Sequence, residues 1–251
     1  YQKYEKKTIT KKELCEKLGW DQNKPIVPIL SCDLTDGVFD NTWSLFKDRL
    51  TWIRETLLEI TNIKNINWLL KPHPNDEKHK VVTDTISEYK KICSNYKHIL
   101  PFPKDISIAS IPKFAHSVIT MAGSASYEYP CFGIPAFQVC ESICSGRGFT
   151  IDPESKEEYF DLLHKIEKIS KLNKHQIDKA KIYAFIVSQL TKINVNLVAP
   201  HDIFQKNDKN FWPAMITLVD NYKEEEDLFK KMMEFQEKNN DLHTINYNLL
   251  K

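Results

Sequence analysis

The stretch Ile66-Asn-Trp-Leu-Leu-Lys-Pro-His-Pro74 joins a short apolar run to two prolines that frame one histidine. The run from Ile66 to Leu70 has the length and apolar content of a strand buried on both faces. Prolines at positions 72 and 74 restrict the backbone around His73. The stretch therefore predicts a buried strand that ends in a rigid turn carrying a histidine.

Strand and helix patterns alternate on both sides of this stretch. The predicted strands are Pro25–Ser31, Ile66–Leu70, His98–Leu100, Ser117–Met121 and Pro135–Val139. A first helix is predicted after the capping box of Thr10 and Glu13, and a second begins at Asn41, with apolar residues along one face up to Ile60. Further helices are predicted at about 77–96, at about 107–115 and from about Ser124. Such alternation predicts an α/β fold: a Rossmann-like parallel sheet with helices on both faces.

Beyond Pro153 only helical patterns follow, at 154–169, 174–193 and 212–239. The roughly 150 residues of alternation correspond to one Rossmann-like unit. We therefore predict a Rossmann-like domain over 1–170 and a helical extension over 171–251 that packs on it.

The composition limits the classes of function. The 35 basic and 34 acidic residues nearly cancel and form no basic stripe, which argues against a nucleic-acid partner. No apolar run approaches the roughly 20 residues needed to span a bilayer, and the start lacks a signal-peptide core, so we expect a cytoplasmic protein. The six cysteines lack the paired spacing of a zinc site, and we expect structural thiols and no metal.

The loop after the second predicted strand is the first candidate site. In open parallel sheets ligands bind beyond the carboxyl ends of the strands, and this loop holds Lys71, His73 and Pro74 at that edge. His73 could donate a hydrogen bond to a phosphate or nucleotide oxygen. The alternative is an ordinary turn with a surface histidine.

The second candidate site is the turn Gly123-Ser124-Ala125-Ser126, which leads into Glu128. Small residues that open a helix leave backbone N–H groups free for an anion, and the helix dipole adds to that preference. The two serine hydroxyls suit a diphosphate or a phosphosugar. Alternatively, a serine simply caps the helix, and Glu128 complements its positive end.

Two further loops are also candidates. The long loop 32–40 contains Asp36 and could border an acceptor, although its aspartates could equally be solvated, with Asp40 or Asn41 capping the next helix. In Ser145–Thr150, two glycines allow close approach of the backbone, and Arg147 could neutralise phosphate charge. A plain surface turn explains that segment almost as well.

The order of these motifs resembles a known family. Trp68–Pro74, Phe114–Thr120, Gly123–Glu128 and Gly133–Pro135, together with Gly148–Pro153, are similar to the C-terminal half of capsule-polysaccharide glycosyltransferases of the GT-B fold. The likeness runs from about Lys11 to Ile169. His116, where related sequences often have an acidic residue, and Pro130, inside the predicted short helix, depart from the pattern.

The resemblance implies a metal-independent glycosyltransferase without a cofactor, which takes a nucleotide-sugar donor, CMP- or UDP-linked, and a glycan or lipid-linked glycan acceptor. It makes His73 and Pro74 the element that binds the nucleotide phosphate, Ser124 and Ser126 the phosphate turn, and Glu128 a contact to the ribose or sugar. With the loops described above, the catalytic candidates are His73 and Glu128, and the substrate-binding candidates are Lys71, Pro74, Gly123, Ser124, Ala125, Ser126, Arg147 and Asp36. It further implies an N-terminal domain outside this chain, or a capsule-assembly partner, and a cytoplasmic location or a peripheral one at the inner face of a bacterial membrane.

Two other functions remain open. A similar cleft could transfer a polyol phosphate from a CDP-glycerol type donor. A non-catalytic module could bind a nucleotide sugar or a glycan, since function is decided by the site and not by the fold.

Overall fold

A computed structural model of the chain describes residues 6–34, 44–76 and 84–190, together with Pro213 and Ile216. Helices and strands alternate through most of these ranges. The helices are α1 (Lys11–Leu18), α2 (Arg49–Ile60), α3 (Thr85–Ile92), α4 (Ile111–Phe114), α5 (Ala125–Glu128), α6 (Lys156–His164) and α7 (Lys174–Phe185). The strands are β1 (Ile26–Leu30), β2 (Asn67–Lys71), β3 (Ile99–Pro101), β4 (Val118–Thr120), β5 (Ala136–Gln138) and β6 (Thr150–Ile151).

The strands of the described residues form one parallel sheet in the order β3-β2-β1-β4-β5-β6. The chain adds strands outward from β1 on one side, then returns and adds β4 to β6 on the other. The strand order reverses between β1 and β4, which is where a crevice opens at the carboxyl edge of such sheets. The predicted Rossmann-like α/β fold is confirmed.

Alternate residues of each strand pack into two different cores. Val27 and Ile29 of β1 join α2, α3 and α6 on one face of the sheet, whereas Ile26 joins α1 and α4 on the other. Trp68 and Leu69 of β2 divide in the same way. Because neighbouring strand residues point to opposite faces, these central strands must be apolar throughout.

The helix predicted from Asn41 begins only at Arg49. Before it, Ser44 forms an antiparallel bridge to Cys140, and the Leu45 N–H donates to the Val139 carbonyl at 3.0 Å. This extended pairing occupies backbone groups that a helix would need. The prediction that Asp40 or Asn41 caps this helix is wrong.

The actual cap is Asp48, whose carboxylate accepts the Thr51 N–H at 2.6 Å. Residues 35–43 lie outside the described part of the chain. They include most of the predicted loop 32–40.

Other predicted elements are shorter than the sequence patterns indicated. Of the predicted helix 77–96, only Thr85–Ile92 is helical in the described residues (α3); residues 93–96 form turns, and 77–83 lie outside the described residues. Segment 107–115 is a 3-10 turn (Ile108–Ser110) followed by α4, and 154–169 is α6 followed by a second 3-10 turn, Ile166–Lys168. Strand β6 was not predicted, because two residues carry too little periodicity to recognise.

The chain divides into two compact units, Tyr1–Ile182 and Tyr183–Lys251. The first contains the whole described sheet. After α7, a π-helical turn covers Ile186–Leu190. The predicted extension over 171–251 stays a prediction, because 191–212, 214–215 and 217–251 lie outside the described residues. In the described ranges, we find no helix with the length and apolar character needed to cross a bilayer.

Candidate functional site

The loops after β1 and β2 are joined by a buried aspartate. The Asn75 side-chain amide donates to Asp33 Oδ2 at 2.9 Å, and the Arg49 guanidinium donates to the Asp33 carbonyl at 2.5 Å. Asp33 is only 6% exposed. A buried carboxylate requires a hydrogen-bond donor, and because Asn75 supplies one from the loop after β2, this bond fixes the two loops against each other at the carboxyl edge of the sheet.

His73 lies half-buried between its two prolines in the loop after β2. The Asn75 backbone N–H donates to His73 Nδ1 at 3.3 Å. Because Nδ1 accepts this bond, the proton of the neutral ring resides on Nε2. His73 can therefore donate from Nε2 to an acceptor.

The neighbours of His73 in this loop, Lys71 and Pro74, differ in how exposed they are to a ligand. Lys71, the last residue of β2, is half-buried, and its ammonium donates to the Pro72 carbonyl at 2.8 Å. Pro74 is exposed. The lysine charge is thus directed partly at its own loop.

Asp76 ends the described part of this loop. Burial raises the pKa of its carboxyl, while hydrogen bonds from Thr85 and the proximity of His73 oppose that rise. Thr85 also bonds to the Ser31 hydroxyl at 2.7 Å. The start of α3 is in this way connected to the loops after β1 and β2.

The turn after β4 presents unused backbone donors. Among the described residues, the N–H groups of Gly123, Ser124 and Ala125 have no acceptor. Gly123 has φ of 113°, a conformation that favours glycine, and the position of a Cβ there would be open space. Gly123 and Ser124 are exposed, so their N–H groups face solvent where an anion can approach.

The two serines of this turn occupy different environments. Ser124 is exposed and makes no capping hydrogen bond, so its hydroxyl is free of the capping role. Ser126 is fully buried; its hydroxyl donates to the Gly123 carbonyl at 2.5 Å, and its oxygen lies 3.3 Å from Cys144 Sγ. Ser126 therefore shapes the turn from inside, and Ala125 packs partly into the core.

The helix that follows is only one turn long. Helix α5 ends at Glu128, and Pro130 begins a 3-10 turn, Pro130–Phe132. A macrodipole grows with the number of aligned peptide units, so four residues add little to the field at the turn. The dipole contribution is therefore small, and the donors that this turn offers to a ligand are the free N–H groups themselves.

Glu128 and Arg147 are both exposed. Glu128 lies four residues after Ser124, so the two side chains share one face of the helical turn. Arg147 makes no ion pair with any described residue, and its neighbours Gly146 and Gly148 both have positive φ values. These glycines bend the backbone on both sides of Arg147.

The loop after β5 borders an open cleft of about 810 Å³. Asp152 organises this loop: it accepts the Gly146 N–H at 2.8 Å, the Thr150 hydroxyl at 3.0 Å and the amide of buried Gln138 at 2.7 Å. The cleft is lined by Ser44, Leu45, Ser145, Gly146, Gly148, Thr150, Asp152, Pro153 and Glu154.

Sulfur contacts connect the loops on either side of the point where the strand order reverses, between β1 and β4. Cys32 Sγ lies 3.6 Å from Met121 Sδ, and Cys140 Sγ donates to the Met121 carbonyl at 3.2 Å. With the Ser126–Cys144 contact, the loops after β1, β4 and β5 are contiguous. Asp36 lies outside the described residues.

Sequence reasoning missed Asn75 and Asp152. Asn75 directly follows the proline-framed histidine, and an asparagine in a turn is a recognisable signal for side-chain bonding to nearby backbone or loops. Asp152 belongs to the Gly148–Pro153 motif, but its role depends on a contact with Gln138 that local patterns do not predict.

No protein-family profile matches the chain, and no curated protein matches it. Solved structures with a similar arrangement include the S. aureus MnaA–UDP co-structure, at 14% identity and a TM-score of 0.45, which covers 66% of this chain and 42% of that one. A UDP-N-acetylglucosamine 2-epimerase matches at 10% identity and a TM-score of 0.41, covering 68% and 40%. Thermosulfurimonas dismutans KpsC, a beta Kdo 2,7 transferase, matches at 17% identity and a TM-score of 0.42, covering 68% and 50%.

The chain thus spans half or less of the length of these proteins. At such identities and TM-scores the matches do not assign an activity.

Proposed function

We propose that this chain is the nucleotide-sugar-binding part of a metal-independent, GT-B type glycosyltransferase of capsular or surface polysaccharide synthesis. The observation that carries the proposal is the exposed row of unused N–H groups at Gly123 and Ser124, on the loop after β4. This loop lies at the same sheet edge as the proline-framed His73. Fixed donors around a strand-order reversal suit a nucleotide diphosphate.

In this proposal the donor phosphates are held from two sides. The N–H groups of Gly123, Ser124 and Ala125, with the Ser124 hydroxyl, bind phosphate oxygens, while His73 donates from Nε2. Charge builds up on the departing phosphate as the glycosidic bond breaks, and donors that are already oriented stabilise that charge. Ser126 acts by holding the turn in shape.

The remaining candidates have supporting roles. Arg147, next to the cleft beyond β5, neutralises phosphate charge, and Glu128 accepts from a ribose or sugar hydroxyl on the face it shares with Ser124. Lys71 and Pro74 keep the histidine loop in place. Asp36 stays a candidate for the acceptor border.

The other components of the reaction are part of the same proposal. The donor is a CMP- or UDP-linked sugar, and the acceptor is a glycan or lipid-linked glycan. A second domain or a capsule-assembly partner completes the cleft, and the reaction takes place in the cytoplasm or at the inner face of the membrane.

The test is calorimetric titration of the chain with CMP, CDP, UDP and GDP. We expect one nucleotide to be preferred. His73→Ala and Ser124→Ala should each lower the affinity for that nucleotide by about 10- to 100-fold, which corresponds to the loss of one hydrogen bond to a charged group. The matched controls are His175→Ala and Ser94→Ala, exposed residues distant in the chain from these loops.

Unfolding by urea, followed for all four variants, checks that each remains folded. Equal affinity of the two site variants and the wild type would refute the site. A preference for CDP, followed by transfer from CDP-glycerol, would replace the sugar donor with a polyol-phosphate donor. Binding without transfer by the full-length protein would reduce the function to a nucleotide-binding module.

A further inference from the structure

A second cleft, of about 490 Å³, opens at the amino edge of the sheet, opposite the loops described above. It is bordered by the start of α1, by Pro25 just before β1 and by Ala115 and His116 just before β4. Three lysines from three segments line it: Lys11, Lys113 and Lys171. No residue of the proposed donor site takes part in it.

Lys171 is fixed in place by backbone carbonyls. Its ammonium donates to the Ala115 carbonyl at 2.7 Å and to the His116 carbonyl at 3.0 Å. An ammonium has three N–H donors, so one is left for a ligand. Burial and the nearby positive charge of Lys11 lower the pKa of Lys171.

The positive charge of this cleft is not balanced by the protein. Among the described residues, no carboxylate lies within ion-pair distance of Lys11, Lys113 or Lys171. Glu167 also lines the cleft, and its Oε2 accepts the Asn65 amide at 2.6 Å. Three lysines against one glutamate leave a local excess of positive charge, in a chain whose formal net charge is only +1.

The histidine of the cleft adds no full charge near neutral pH. His116 Nε2 bonds to the Ile166 carbonyl at 2.9 Å. Burial, and then the charges of Lys171 and Lys11, lower its pKa, although bonds to carbonyls of Ile166 and Ile169 oppose this. The ring therefore contributes a fixed polar wall beside the lysines.

We infer that this cleft binds the phosphate group of a ligand at the amino edge of the sheet. Lysine ammonium groups bind phosphate as point charges, and three of them around one cleft suit a group that carries several charged oxygens. The Asn23 amide adds a neutral donor, and Pro112 and Phe114 provide apolar walls for the uncharged remainder of the ligand. The inference does not depend on the proposed glycosyl transfer.

The experiment is a titration of the isotopically labelled chain with inorganic pyrophosphate at low ionic strength, followed by backbone amide resonances. Amides lining the cleft report on this site, and those of Gly123 to Ser126 report on the donor site, so the two proposals fail independently. We expect saturable shifts at the amino edge, and about a tenfold loss of affinity there for Lys11→Gln and for Lys113→Gln.

Lys171→Gln should weaken binding by a similar factor, but it also removes two hydrogen bonds to backbone carbonyls and could unfold the protein. Lys11 and Lys113 make no such bonds among the described residues, so their variants test the site even if Lys171→Gln unfolds. The matched control is Lys168→Gln, an exposed lysine of the neighbouring 3-10 turn that does not line the cleft. Its affinity should equal that of the wild type.

A parallel arm distinguishes two sources of the phosphate. If the ligand is a lipid headgroup, the wild type should sediment with phosphatidylglycerol vesicles but not with phosphatidylcholine vesicles, and the lysine variants should sediment with neither. Pyrophosphate binding without vesicle binding identifies a free phosphorylated metabolite. The inference is overturned if neither pyrophosphate nor vesicle binding depends on the lysines, or if Lys168→Gln loses as much affinity as the variants of the cleft lysines.

Discussion

At the scale of single residues, the candidate site depends on how His73 is oriented. Its ring accepts from the Asn75 backbone, and the Asn75 side chain in turn holds Asp33 in the neighbouring loop. The ring tautomer and the position of the loop are therefore set by one residue that itself contacts no ligand in the proposed function. Asn75 is a positioning residue.

Replacing Asn75 by alanine separates these two effects. The variant keeps the backbone N–H that faces His73 but leaves the buried Asp33 carboxylate without one donor, so we expect a loss of about 1–3 kcal/mol in the free energy of unfolding. Nucleotide affinity should fall less than in His73→Ala. Urea unfolding and calorimetry measure the two quantities.

Asn62→Ala, on the turn after α2, is the control for this substitution. An effect of Asn75→Ala on stability no larger than that of the control would show that the Asp33 contact is unimportant. A loss of affinity equal to that of His73→Ala would assign Asn75 itself to the ligand.

At the scale of elements, buried side chains join α2 to the helices beside it. Tyr159 of α6 is fully buried and bonds to Thr56 of α2 at 3.0 Å, and burial raises its pKa to about 12. Glu88 of α3 is paired with Arg54 of α2 at 2.6 and 3.2 Å and with Lys91 at 2.8 Å. Polar contacts thus specify how these helices pack on one face of the sheet.

The Glu88 pair predicts a pH-dependent contribution to stability. Hydrogen bonds from Arg54 lower the pKa of Glu88 below its ordinary 4.5, so its contribution is present above that pH and is lost as the pH falls through the lower, folded value. We expect Glu88→Gln to lose about 1–3 kcal/mol of unfolding free energy at neutral pH, because the carboxylate side chain is only 2% exposed.

Urea unfolding curves at a series of pH values measure this contribution, and the difference from the wild type should shrink below pH 4.5. The control is Glu16→Gln, whose pair with Lys12 at 4.0 Å is exposed. We expect Glu16→Gln to change the free energy of unfolding by less than about 0.5 kcal/mol. A constant difference across the pH range would contradict the role of the Glu88 charge.

At the scale of the whole molecule, the six cysteines are free thiols, all buried or half-buried. Burial raises the pKa of Cys32 and of Cys93 to about 12 and that of Cys140 to about 11. Since the thiolate is the reactive form, we expect the native protein to react with iodoacetamide at least about tenfold more slowly than the urea-unfolded chain.

Mass spectrometry of the labelled protein measures this difference and counts the modified sites. All six thiols should be labelled after unfolding without a reductant. Fast labelling of one cysteine in the native state would identify a reactive thiol and contradict the structural role.

Much of the fold follows from local patterns. The apolar runs around β1, β2 and β4 predict buried strands, and the spacing of apolar residues in α2 predicts an amphipathic helix, because both periods are properties of neighbouring residues. The order of these elements then implies a parallel sheet. The carboxyl-edge positions of His73 and of the Gly123 turn follow from that order alone.

The sequence by itself determined this α/β architecture and which loops share the carboxyl edge, because strand and helix periods are encoded over short distances. Only the tertiary structure decided that α2 begins at Arg49, that the Ser126 hydroxyl is used inside its own turn and that Asn75 holds Asp33. It also brought Lys11, Lys113 and Lys171 to one cleft. These outcomes join residues far apart in the chain, and their energies depend on burial and distance that no local pattern contains.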